Sequence, residues 1–194
     1  MQAVIGDCFN MPIYSYNIFK PFSVFLLIVT ALIAASIFAE TNYPVKLKFE
    51  QVRIHEVDAL LSSQNVPEII VSSWKTAHEK FLSEPPTGKI ARYDLNDDAI
   101  EEVFLYLSGH GMCGNGGCHL IIFQFNKDNE TLEYKTARSS SDDILILNNS
   151  TNNGYHNLAI RLTNGVTRSK TAAYTLYRWK NGDLEQTHET LLFQ

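Results

Sequence analysis

The chain has 194 residues, 45% of them hydrophobic, and its 16 Lys and Arg against 21 Asp and Glu give a formal net charge of −5. That is enough apolar material for one domain with a real core. An acidic balance without any basic run to release phosphate counterions speaks against a nucleic-acid partner.

The N-terminus carries the first signal. Lys20 precedes an apolar run from Phe22 to Phe38, which ends in small residues before Glu40. This is the three-part layout of a secretory signal peptide, so residues 1–39 are expected to be removed after Ala39. Met11 is a possible true start, because it shortens the stretch before Lys20. Left uncleaved, the same run would act as a membrane anchor, its only expected contact with a membrane. The product, residues 40–194, is expected to be a single secreted α+β domain. No cysteine follows the apolar run closely, which disfavours a lipidated N-terminus.

From Thr41 to Glu50, Val45, Leu47 and Phe49 alternate with charged residues, the period-2 pattern of a half-buried strand. Ile70, Trp74, Ala77 and Phe81 then recur at helical spacing and line one face. Asn65 and Glu68 can form a capping box, Pro67 fits the first turn, and Pro85-Pro86 ends the helix. Strands are expected over Ile90–Leu95, Glu102–Leu107, His119–Phe125, Leu132–Ala137, Ile144–Leu147, Leu158–Leu162, Ala172–Trp179 and Leu184–Glu189. Asp98–Leu105 and Gly154–Ile160 each run from a turn into an apolar strand, followed by a Gly-containing loop, an aromatic-rich strand and a polar turn. Two related meander units are therefore expected, side by side or face to face, with one helix packed on antiparallel sheet.

Between the first two of these strands runs Asp94-Leu95-Asn96-Asp97-Asp98-Ala99-Ile100-Glu101-Glu102. Asp94, Asn96, Asp98 and Glu102 offer oxygens at loop positions 1, 3, 5 and 9, with the Ile100 carbonyl between, which is a spacing that suits Ca²⁺. The segment resembles the calcium loops of FG-GAP and dockerin-like repeats, whose pattern is Asp-x-Asn-x-Asp-Gly. Ala99 stands where those repeats have Gly, and a left-handed backbone costs a non-Gly residue about 1–2 kcal/mol. A metal-free turn in which Asp94 and Asn96 bond their own backbone is the other reading. Together with the cysteine hairpin described next, the segment is similar to many exported bacterial proteins, and the likeness implies compartment and architecture rather than activity.

Cys113-Gly114-Asn115-Gly116-Gly117-Cys118 sits between two apolar strands, and behind an export signal it reads as a disulfide-closed hairpin tip. His110 and His119 flank it, so a zinc site with both cysteines is conceivable, but the usual second ligand pair is missing. Ser108-Gly109-His110 lacks the strand-to-helix turn of a nucleophile elbow. Glu101 and Glu102 point to opposite faces of a strand and cannot act as one acid/base pair. Asn129, Asn148 and Asn149 head formal glycosylation triplets and are expected in polar turns.

These features lead to a non-enzymatic, periplasmic or secreted binding protein, such as an inhibitor or immunity protein masking an envelope-acting enzyme. Its contacts are expected at His110, Met112 and Asn115, with the loop from Thr163 to Lys170 as a second contact region. Two other functions compete: an envelope adhesion or assembly module with a calcium loop, and a hydrolase with its site near His110.

Overall fold

A computed structural model describes residues 44–63, 65–161 and 172–193. The export segment and the loop at 163–170 lie outside these residues. Two short strands, β1 (Val45–Lys46) and β2 (Glu50–Val52), lead into two helices, α1 (Ile54–Leu61) and α2 (Glu68–Lys80). Nine strands follow: β3 (Thr87–Tyr93), β4 (Glu102–Ser108), β5 (Cys113–Gly114), β6 (Gly117–Asn126), β7 (Thr131–Ser140), β8 (Ile144–Asn152), β9 (Tyr155–Arg161), β10 (Ala172–Lys180) and β11 (Asp183–Phe193).

All pairings are antiparallel, and they form two sheets. One sheet runs β2-β3-β4-β6-β7, with the short β5 folded back on the start of β6. The other runs β1-β8-β9-β10-β11. Each is thus a four-strand meander with a short N-terminal strand on its first edge. The expected strand over residues 41–50 is split between them. Val45 and Lys46 pair with β8, Glu50–Val52 pair with β3, and Leu47 and Phe49 lie in the core between the sheets where the chain crosses over.

The sheets face each other. Phe104, Tyr106, Leu120 and Ile122 of the first sheet pack against Ile146, Leu158, Ile160 and Trp179 of the second. The opposite face of the first sheet, with Val103, Leu105, Leu107, Ile121 and Phe123, packs on Val57, Leu61, Ile70, Trp74 and Ala77 of the helices. Val103 through Leu107 are consequently all buried. An unbroken apolar run is what a strand covered on both faces requires.

Two expectations about the helices are corrected. The described residues hold two, not one: α1 is opened by the Arg53 amide donating to Glu56 Oε2 at 2.8 Å, and its Val57 and Leu61 are buried. On α2 the predicted face holds, with Ile70, Trp74 and Ala77 buried, but Asn65 is not its cap. Pro67 occupies the N-cap position without a side-chain bond, and Asn65, at φ 68°, turns the chain two residues earlier. Trp74 Nε1 donates to Asp58 Oδ1 at 2.9 Å and ties the helices together.

Candidate functional site

The segment from Gly109 to Cys118 leaves β4 and is pressed onto the end of α2. Gly109 (φ 106°) passes Pro86, and Gly111 (φ 80°) passes so close to Ala77 and Phe81 that an added Cβ would lie 3.0 Å from the Ala77 methyl. Side chains are excluded there by conformation and by space. Met112 then turns inward and is 1% exposed in the core between helices and sheet. It anchors the loop, which corrects the expectation that it contacts a partner.

His110 and Asn115 remain exposed, as do Cys113, Gly114 and Gly116. The His110 ring stacks on Phe81 with centroids 5.2 Å apart, and its Nε2 lies 3.0 Å from Glu84 Oε2. Cys113 and Cys118 are register partners joined by a disulfide with an S–S distance of 2.01 Å. Each sulfur is bonded to the other, so no thiolate pair is present for the zinc arrangement. His119 is on β6 beside Leu107 and Ser139, where burial lowers its pKa. Gly117, at φ 110°, runs against β7, and a Cβ there would lie 2.3 Å from the Ser140 carbonyl oxygen.

The acidic loop closes on its own backbone. Asp94 Oδ1 accepts from the amides of Asn96 and Asp98, and Asp94 Oδ2 accepts from Ala99 at 2.7 Å. Asn96 Oδ1 also takes the Asp98 amide, and Asp98 Oδ1 takes the Ile100 amide. Ala99 adopts φ 65°, the left-handed conformation that the loop pattern reserves for Gly. Glu102 is 2% exposed and accepts the Leu95 amide at 2.8 Å. Burial raises its pKa, and the nearby Asp98 and Asp94 charges add to this against backbone hydrogen bonds that lower it. On Asp98 desolvation acts upward, but the Ile100 amide and Lys127 prevail and its pKa falls. Among the described residues, no three His, Cys, Asp or Glu side chains converge to hold a metal.

Two partners of this loop have no local sequence signal. Lys127 Nζ lies 3.2 Å from Asp98 Oδ2. The His156 amide donates to the Leu95 carbonyl at 2.7 Å, and its buried ring sits 3.1 Å from Asp97 Oδ1, clamping the loop onto β9. Both come from sequence-distant strands and meet the loop only through the sheets.

The acidic loop and His110 stand at opposite ends of β4, which at roughly 3.4 Å per residue keeps them far apart. The carboxylate beside His110 is Glu84, and the hydroxyl of Ser108 pairs with that of Thr87 at 3.1 Å. Asn129 does form a turn, accepting from the Thr131 amide and hydroxyl, whereas Asn148 and Asn149 lie within β8 rather than in a loop. No helix among the described residues is long and apolar enough to cross a membrane. Comparison of the chain with protein-family models, with curated proteins and with solved structures finds no match.

Proposed function

We propose that this is an exported binding module, periplasmic or secreted, that recognises a protein partner at the cell envelope through the turn around Asn115 and the neighbouring His110. An inhibitor or immunity protein that masks an envelope enzyme is the form this reading takes. The observation that carries it is the way an exposed loop is pinned: Met112 is buried in the core, two glycines lie against α2 and Pro86, and the disulfide closes the tip. A loop fixed in advance has little ordering cost on association. The disulfide itself favours an oxidising compartment.

A photocrosslinker placed at position 115 in cells should give a discrete adduct that the same group at Glu101, at the far end of β4, does not give. The paired change His110→Ala with Asn115→Ala should reduce partner affinity while lowering the melting temperature only a little. Equal adducts from both positions would move the interface off this turn.

A second reading, a calcium-dependent adhesion or assembly module, is favoured by the left-handed Ala99 and by three acids crowded at one loop. Asp94, Asn96, Asp98, the Ile100 carbonyl and Glu102 would supply oxygens, and an ion would have to displace Lys127 from Asp98. An ion bound only by the native state raises stability by mass action. The melting temperature should then rise with free calcium and fall with chelator, and a Tm unmoved by either removes this reading.

A further inference from the structure

Non-covalent structure fixes both ends of the braced turn. At its base Met112 is 1% exposed in the core, its amide donates to the Gly109 carbonyl at 3.1 Å, and Gly111 lies against Ala77. At the other end His119 pairs with Leu107 of β4 and with Ser139 of β7, so β6 is held on both sides from that residue on. Between these points β5 has two residues and two register pairs, Cys113 with Cys118 and Gly114 with Gly117. So short a ladder is marginal on its own. Three of the four residues between the cysteines are glycines, which lose the most conformational freedom when ordered.

The disulfide acts on this turn and on little else. It joins residues five apart, so it closes a small ring and removes less loop entropy from the unfolded chain than a long-range bond does. Cys113 is exposed, while Cys118 is half-buried against the core between the sheets. Exposed disulfides exchange more readily than shielded ones.

We propose that the Cys113–Cys118 bond is a redox switch that fixes or frees the turn while the rest of the fold stays intact. The reductant is a dithiol, of the Cys-x-x-Cys oxidoreductase class in the protein's own compartment. One thiolate of the dithiol attacks Cys113 Sγ, the accessible sulfur; the Cys113–Cys118 bond breaks as a mixed disulfide forms, and Cys118 leaves as a thiolate that takes a proton. The second thiolate of the dithiol then attacks its own sulfur in the mixed disulfide and releases Cys113, which is protonated in turn. Two electrons and two protons pass to the protein, and the dithiol becomes a disulfide. Met112 and β6 keep their places, whereas residues 113–117 lose their closure and Asn115 is no longer presented in one position. The effect on a partner rests on the turn-mediated reading; the opening of the turn does not.

The test treats the folded, isotope-labelled full chain with dithiothreitol, followed by alkylation mapped to Cys113 and Cys118 and kept apart from Cys8. Both cysteines should be labelled at a rate that rises with dithiothreitol concentration and exceeds the rate of global unfolding. In the reduced chain, amide exchange from Gly114 to Gly117 should speed up about tenfold or more while the Leu105 and Ile121 amides stay protected. The paired change Cys113→Ser with Cys118→Ser should reproduce that pattern, and oxidised glutathione should reverse it in the wild type. The proposal is overturned if labelling is independent of dithiothreitol and waits on unfolding, if the reduced chain loses its fold, or if exchange in the turn is unchanged. A photocrosslinker at position 115 should give its adduct from the oxidised chain and much less from the reduced one, and equal adducts from both would overturn the regulatory role. Absence of any adduct from the oxidised chain would remove the turn-mediated reading alone, since exchange still decides whether the turn opens.

Discussion

Glu102 shows how one buried carboxylate can set both the energetics and the ion chemistry of a loop. It is held by the Leu95 amide, but burial and the Asp94 and Asp98 charges leave its proton harder to remove than in the unfolded chain. A carboxyl whose folded pKa is raised adds stability that is full below the unfolded value near 4.5 and is lost as pH rises through the folded value. Glu102→Gln keeps an acceptor for Leu95 and removes the charge. The variant should therefore melt a few degrees above wild type at neutral pH, with the gap narrowing toward pH 4.5. Thermal scans from pH 4 to pH 8 check this, and a variant that melts lower throughout would show that the ionised form is stabilised instead. Asp143 behaves oppositely: burial raises its pKa, but Lys46, Arg161 and Tyr174 outweigh that and hold it down. Its contribution is present at neutral pH and is lost on acidification through the depressed value.

At the scale of elements, the braced loop divides into an anchor and a display. Met112→Ala leaves a hole between α2 and the first sheet, and deletions of this kind cost about 2–5 kcal/mol. It should lower denaturant midpoints while the exposed His110 and Asn115, changed to Ala, lower them little, and chemical denaturation of the two variants decides the matter. Sequence pattern located this loop and its disulfide but could not tell display from anchor. Burial of Met112 depends on the helix meeting the sheet, a contact that no local spacing reports. All eight strands expected after Pro86 exist, because alternation and turn residues are local signals. The missed helix, α1, is only eight residues long. Its Ile54, Val57 and Leu61 have helical spacing, and the Arg53–Glu56 contact at its start supplies a cap without the usual Ser, Thr, Asp or Asn. The acidic loop was legible as a motif, whereas Lys127 and His156 were not, since each reaches it through strand pairing.

Over the whole molecule the central sheet serves two cores at once. Val103, Leu105 and Leu107 belong to the helix side and Phe104 and Tyr106 to the sheet side, so β4 has no solvent face. That was readable in the apolar run itself, which alternation toward a single covering helix does not explain. The two cores therefore should not melt separately. The chain has two tryptophans, and one sits in each core: Trp74 between the helices and the first sheet, and Trp179 between the sheets. Trp74→Phe and Trp179→Phe variants isolate the two reporters in turn. Within each variant, the fluorescence transition of the remaining tryptophan should coincide with loss of the far-ultraviolet signal, the mark of two-state unfolding. Leu105→Ala, which opens the helix-side core alone, should shift the Trp179 transition as far as it shifts that of Trp74, because both reporters then follow one cooperative unit. A Trp179 transition left in place by Leu105→Ala would mean that the second sheet holds together without the helices, and that β4 joins two separately stable layers.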